Sequence, residues 1–445
     1  MVINEPYFTQ KSYTGNRPAY LKKPAGHAVS SNPNTLQWNA AGWQVAGKGI
    51  KLINGVYANE KLNNKLPNTY FDGSHMVFSA INATLENFSF LKDTLSAQIN
   101  LQTNERGGLQ VKKLKAYFKF TPDIMEFSNL DLQTNKSRLG NYYAMHFNSF
   151  GKDMGNFIEK VTLELHLKSS EVNSDDIAVF APALKNWKKI FQISGDAKGT
   201  IQDFKAKNLL VSTGNSSFNG NLSMAGLPDL NSTFIDLKAT ELQTNNNDLS
   251  LIIPGIKNSK VAFHKLGKIK YTGTFTGFPK DFVAYGTFQT SLGNFTSDLN
   301  MKLQNGKDPV YSGRLFTGGF NIGALLNNLK LGMVALNANV YGSGFSADKL
   351  KVNVDGKVSR IDFSNYAYRN ITMKGNFNKK AFSGFFSIDD PNIKISELYG
   401  KVDLSNKNTV LNADAIVDNI NLKNIGLSKD NLRLSGAFNL NFTGN

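Results

Sequence analysis

Five histidines and two acidic pairs are the residues of this 445-residue chain best suited to acid–base or metal chemistry. Proton transfer needs a titratable group held against a partner, and a metal needs several ligands at converging spacing. His27, His75, His146, His166 and His264 are isolated in sequence and form no helical ligand pair. His166 falls on the polar face of an alternating segment, where exposure to water accounts for it. Asp389-Asp390 lies in a turn with Pro391-Asn392, and Asp175-Asp176 opens a stretch of helical spacing, so structural roles account for both pairs. No Gly-x-Ser-x-Gly elbow, P-loop, His-Glu-x-x-His or calcium-loop spacing occurs. The absence of cysteine removes disulfides and thiolate metal sites. The chain therefore reads as a non-enzyme, with no catalytic residue, metal, cofactor or small-molecule substrate. A β-helical polysaccharide lyase would need converging charges on one exposed face, and nothing in the sequence points to one.

The formal charge of +16 comes from scattered lysines. The densest clusters are Lys112-Lys113-Leu114-Lys115 and Lys185-Asn186-Trp187-Lys188-Lys189. Nucleic-acid binders concentrate charge beside stacking aromatics. Here the aromatics alternate away from the lysines, so nucleic acid is not an expected partner. Attraction to anionic lipid head groups fits better, and a solvated basic surface is the plainer account. No stretch has transmembrane length, and residues 1–33 hold no run resembling a signal peptide.

What must position these side chains is a succession of strands. From Lys349 onward, Leu350, Val352, Val354, Gly356 and Val358 alternate with Lys351, Asn353, Asp355 and Lys357. The same period of two returns in Ile371–Phe377, Phe382–Ile388, Leu398–Leu404, Leu411–Val417 and Leu432–Phe442. Such alternation marks strands with one apolar and one polar face. Roughly thirty large apolar side chains, at ~1.5–3 kcal/mol each on burial, cannot be left in water. No helix of core length is near enough to cover them. The expected fold is all-β with a few short helices: an elongated, curled antiparallel sheet, groove-like, with an apolar interior.

An apolar-x-Gly-x-apolar unit recurs, with Gly220, Gly273, Gly356, Gly375, Gly384, Gly400 and Gly436 each mid-strand on the apolar side. Glycine weakens a strand interior, so its repeated presence suggests a crease across the sheet. The side chains expected to line the groove are Val354, Val358, Met373, Phe377, Phe382, Phe386, Ile388, Leu398, Val402, Leu434, Phe438 and Leu440.

In chain order, residues 1–35 read as a flexible or disordered lead-in and 36–172 as a first β-groove segment. Residues 173–190 read as a short helix capped by Ser174 and kinked at Pro182, from the spacing of Ile177, Phe180, Leu184, Trp187 and Phe191. A second groove segment spans 191–346, interrupted by short helices near 247–257 and 321–328. A continuous groove segment runs over 347–445 and breaks off in mid-pattern.

Several phrases resemble a known family. The run Phe71-Asp72-Gly73-Ser74-His75-Met76-Val77-Phe78 leading into Asn87–Ala97 resembles the AsmA-like envelope proteins. Leu130–Gly140, Asp175–Lys185 and Gly226-Leu227-Pro228-Asp229 with Thr233–Leu237 and Leu242-Gln243-Thr244-Asn245 look like the TamB proteins of Bacteroidetes, translocation and assembly module proteins of the bridge-like lipid-transfer kind. The similarity covers roughly residues 40 to 445. It rests on phrases and repeat texture, not on a catalytic signature. The resemblance implies a U-shaped β-taco with a greasy lining, anchored in the inner membrane and reaching across the periplasm to an outer-membrane barrel of the BamA/TamA type. It also implies a part in moving phospholipid between membranes and in assembling outer-membrane proteins. The family's anchor helix and C-terminal region have no counterpart in this sequence, so the expectation is an interior piece or an incomplete product.

The expected function is conduction of phospholipid acyl chains between inner and outer membranes along the groove. Two other functions fit the same pattern: a periplasmic scaffold for protein secretion that takes client strands by β-augmentation, and a structural stalk or adhesin with a dry core. About thirty strands at ~4.8 Å would stack to a rod on the order of 100–150 Å, with strands of ~9 residues making a ribbon about 30 Å wide.

Overall fold

The computed structural model describes residues 1–12, 37–61, 70–252, 256, 259, 261–304, 306–346, 348–403 and 409–444. The chain is all-β: 68% of it is strand against 8% helix, in open, curled, mainly antiparallel sheet that does not close into a barrel. It divides into two compact units, Met1–Gly214 with Asn221–Pro228, and Asn215–Gly220 with Asp229–Asn445. The division falls within a strand.

The first unit opens with β1 (Val2–Asn4) and β2 (Tyr7–Ser12), which pair parallel to β3 (Val45–Lys61). This corrects the expectation of an unstructured lead-in over residues 2–12. Pro6 removes a donor between the two short strands, and β3 supplies the partner that local sequence does not reveal. Residues 13–36 lie outside the described residues. Antiparallel neighbours then follow in chain order: β4 (His75–Leu91), β5 (Thr94–Glu105), β6 (Gln110–Phe120), β7 (Ile124–Gln133), β8 (Arg138–His146), β9 (Thr162–Asn173), β10 (Ile190–Gly199) and β11 (Asp203–Thr213). Two single-turn helices, α1 (Phe150–Asp153) and α2 (Phe157–Lys160), join β8 to β9.

The helix expected over 173–190 is only α3 (Ser174–Ile177) and a separate 3₁₀ turn at Pro182–Leu184. Pro182 cannot donate within a continuing helix, and the apolar spacing that suggested one ends with Phe191 in β10. Asn173, not Ser174, is the N-cap: its side chain accepts from Asp175 N at 2.9 Å. Ser174 Oγ instead accepts from Lys189 N at 2.9 Å, pinning the exit of the segment.

The strand β12 (Ser216–Ala225) straddles the division. The second unit continues with β13 (Phe234–Asn245), β14 (Lys268–Phe278), β15 (Asp281–Thr290), β16 (Gly293–Lys302), β17 (Val310–Asn321), β18 (Leu331–Ser343), β19 (Lys351–Phe363), β20 (Tyr366–Asn378), β21 (Ala381–Asp390), β22 (Ile393–Asp403), β23 (Thr409–Asn421) and β24 (Arg433–Gly444). Each pairs antiparallel with the next. Strict succession places alternate connections on opposite rims. One rim carries α4 (Asn246–Ile252), a 3₁₀ turn at Phe263–Leu266, α5 (Ile322–Leu326) and the long link after β23. The other carries short turns such as Pro279-Lys280 and Lys379-Lys380. These are called the helical rim and the turn rim.

The core of the second unit lies toward the helical rim. Phe320, Val334, Val358, Ile371, Ile388, Ile395, Ala415 and Val417 are buried together, and Leu266, Ile322 and Leu325 pack against them. The pieces are clipped by Ala262 N donating to Leu325 O at 2.8 Å and Ser291 N to Leu266 O at 2.9 Å. Each apolar side chain so covered contributes ~1.5–3 kcal/mol.

Candidate functional site

The inner face of the second unit is built from rows of residues facing each other across β19–β24. Nearest the turn rim runs Val352–Phe377–Phe382–Val402–Leu411–Phe442. Next comes Val354–Gly375–Gly384–Gly400–Ala413–Leu440, and then Gly356–Met373–Phe386–Leu398–Ala415–Phe438. The fourth row is Val358–Ile371–Ile388–Ile395–Val417–Gly436. Eleven of the twelve expected lining residues fall in these rows. The twelfth, Leu434, pairs with Ile420 beyond the fourth row and is 43% exposed. Its strand, β24, has β23 as its one partner among the described residues, so no second neighbour covers it.

Burial is graded across the rows. Val358, Ile371, Ile388, Ile395 and Val417 of the fourth row are buried, Ile388 to 2% exposure, whereas Met373, Phe377, Phe382, Phe386, Leu398 and Val402 are only half-buried. Register shifts sit beside the fourth row, at Phe386/Ile388, Ile395/Glu397 and Val417/Ile420. Bulges bend and over-twist a strand. They fall where burial is deepest, and Met373, Phe386, Leu398 and Phe438 of the third row pack against the buried cluster from the turn-rim side.

The glycines form a line that jogs. Ala239, Gly273, Gly286 and Ser297 oppose one another, as do Ala338 and Gly356, both in the register of the third row. From β20 onward the small residues step to the second row as Gly375, Gly384, Gly400 and Ala413. Gly220 lies in β12, and Gly436 lies in the fourth row, where a Cβ would meet the Phe438 ring at an ordinary 3.7 Å. A single straight crease is therefore replaced by two offset segments. The ring of Phe382 lies over Gly375, where a Cβ would come within 2.7 Å of it, so glycine there makes room for an aromatic laid on the sheet. Gly286, under the ring of Tyr271 in the same way, follows the apolar-x-Gly-x-apolar rule in Ala284-Gly286-Phe288 but was not among the expected glycines.

The first unit has inner-face rows of the same kind, such as Ala97–Phe118–Phe127–Tyr143–Leu165–Ala197. Burial pushes the Tyr143 phenol far above its ordinary range.

Residues singled out for chemistry lie away from these rows or serve the chain. Asp176 accepts from Thr134 Oγ1 at 2.5 Å, Ser137 Oγ at 2.7 Å and Lys136 N at 3.0 Å, and Asp175 pairs with Lys136 and Lys188. Asp390 accepts from the Tyr366 hydroxyl and from Asn392 N, and Asp389 pairs with Lys394 at 3.3 Å. His75 Nδ1 lies 2.8 Å from Asp72, His264 sits in the turn on the helical rim, and His27 is outside the described residues. Among the described residues no group of three or more His, Asp or Glu is placed to hold a metal. None of their helices is long and apolar enough to cross a membrane. A hollow of about 530 Å³ is lined by Lys357, Ser359, Thr372, Ser387 and Lys394 together with Val358, Ile371, Ile388 and Ile395 of the fourth row.

One cluster was not legible in the sequence. Glu164 lies 2.7 Å from Lys198 Nζ, 2.9 Å from His146 Nε2 and 3.2 Å from His166 Nε2, and His166 Nδ1 lies 2.7 Å from Asp196. Lys198 first, then the two histidines, hold the Glu164 carboxyl down at about 2. Asp196 first, then Glu164, raise His166 above its ordinary 6.5. The lowered carboxyl contributes stability that is complete above pH 4.5 and lost as pH falls toward 2. The raised imidazole contributes stability that is complete below pH 6.5 and lost as pH rises through its folded value. Glu164→Gln should therefore destabilise the fold most between those limits, by on the order of 1 kcal/mol after solvent screening, and lower the melting temperature most there. Thermal melts of both proteins from about pH 3 to pH 8 test this, and a difference that does not vary with pH would count against it.

No family model, curated protein or solved structure matches the chain.

Proposed function

We propose that the chain is a non-enzymatic envelope protein whose apolar inner face is a trough for phospholipid acyl chains, passing them between inner and outer membranes. The observation that supports this most is the set of inner rows in register across β19–β24, in which Met373, Phe377, Phe382, Phe386, Leu398 and Val402 stay half-buried while Val358, Ile371, Ile388, Ile395 and Val417 of the fourth row are buried as a floor. A stalk with a dry core would bury Phe377, Phe382, Phe386 and Met373 as fully as Ile388, because interiors pack to crystal-like density. The polar face supplies solubility: Asn353, Asp355, Lys374 and Asn376 point away from the trough. No side chain need do chemistry; transport is lateral sliding on apolar surface. The resemblance to AsmA-like and TamB proteins agrees with this function and adds a periplasmic location and an outer-membrane barrel as partner.

Mass spectrometry of the gently purified chain tests the proposal. Phospholipid should accompany it at one or more molecules per chain and be released by apolar solvent. A lipid-free chain that also takes up no lipid from vesicles would contradict it.

A further inference from the structure

Four neighbouring strands of the second unit share one concavity. The hollow of about 530 Å³ takes three consecutive residues from each of β19, β20, β21 and β22, centred on Val358, Ile371, Ile388 and Ile395. Those four side chains belong to the buried core, so they give the hollow a floor of strand backbone, and its walls are the polar side chains on either side of them. Register shifts at Phe386/Ile388 and Lys394/Ile395, and a φ of 52° at Asn370, interrupt the flat ladder there. The core contacts hold that backbone in place, so the hollow is formed before anything binds.

The walls divide into a paired part and an unpaired part. Asp389 pairs with Lys394 at 3.3 Å, Asn370 Nδ2 donates to Asp389 O at 3.1 Å, and Ser396 Oγ donates to Asp418. Lys357, Thr372 and Ser387 oppose one another in a single row across β19–β21, about 4.8 Å from strand to strand. Among the described residues the Lys357 ammonium has no ion-pair partner, and the hydroxyls of Ser359, Thr372 and Ser387 have no hydrogen-bond partner. Two lysines against one aspartate leave the hollow positive.

We infer that this hollow binds a small, water-soluble phosphate monoester of a polyol, with the phosphate at Lys357. The row offers one ammonium and two hydroxyls as donors, and a phosphate monoester brings three terminal oxygens to accept from them. The flexible four-carbon stem of Lys357 lets its charge reach over Thr372. The hollow has the size of a small-molecule site, and beyond the row it is lined by Ser359, Asn370 and the Asp389–Lys394 pair, which suit the hydroxyls of a polyol. No exposed apolar side chain lines it, so acyl chains have no place there. These polar side chains alternate with the trough rows, and the inference does not rest on the trough.

Isothermal titration of the full chain with glycerol 3-phosphate, inorganic phosphate and glycerol tests it. Glycerol 3-phosphate should saturate a single site, at least ~3-fold more tightly than inorganic phosphate, and glycerol should give no saturable binding at the same concentrations. Lys357→Met should weaken glycerol 3-phosphate by at least ~10-fold and Thr372→Val by ~3-fold or more. Lys423→Met, which removes an equal charge from the link after β23, should bind as the parent. Vesicles of phosphatidic acid, which present the same monoester on a membrane, should not displace the bound ligand. Absence of saturable binding, no preference over inorganic phosphate, equal loss from Lys357→Met and Lys423→Met, or displacement by the vesicles overturns the inference.

Discussion

Gly384→Val should unfold the second unit or lower its stability by more than about 3 kcal/mol, a large share of the roughly 5–15 kcal/mol that holds a domain folded. Gly384 has φ 145°, a conformation that a β-branched residue does not adopt. A Cβ there would lie 2.4 Å from the carbonyl oxygen of Lys374 and 2.5 Å from the Cα of Gly375. Both are backbone atoms of the adjacent strand, so relief requires parting β20 from β21. Gly318, on the exposed face of β17 with nothing within 4 Å of its Cβ position, is the control. Gly318→Ala should fall within about 0.5 kcal/mol of the parent. Denaturant melts of the two variants decide the matter, and a Gly384→Val protein as stable as the parent would mean the strands do not approach as described.

Phe386→Asp should abolish acyl-chain binding while the chain remains folded. Phe386 is half-buried in the third row, and a carboxylate there stands in the path of the tails with water still within reach. Ile388, two residues on, separates lining from floor. It is 2% exposed, so Ile388→Ala should cost ~2–5 kcal/mol of stability and leave the open rows intact. Unfolding and lipid uptake measured on both variants should give opposite profiles. If Phe386→Asp binds lipid like the parent, these rows are not the path.

Much of this architecture could be read from alternation alone. Val352-Val354-Val358 or Phe382-Phe386-Ile388 announce an apolar face because the side-chain period of a strand is fixed. Local sequence does not announce register, and the graded burial depends on register. The bulges beside Ile388, Ile395 and Val417 carry no compositional mark, so the difference between floor and open rows was hidden. The His146–Glu164–His166–Lys198 cluster gathers residues of three strands that are isolated when read singly. Ile177, Phe180 and Leu184 imitate a helix by spacing, and Pro182 prevents it. The parallel pairing of Tyr7–Ser12 with β3 depends on a partner some fifty residues away, which a local pattern cannot show.

Tryptophan fluorescence with brominated lipid tests the trough most directly. Met373→Trp and Phe386→Trp place the indole among the inner rows, and Thr372→Trp places it on the polar face of the same sheet. Phosphatidylglycerol with brominated acyl chains should quench the first two and spare the third. Equal quenching from both faces, or bound lipid that leaves Met373→Trp and Phe386→Trp bright, would show that the tails lie elsewhere.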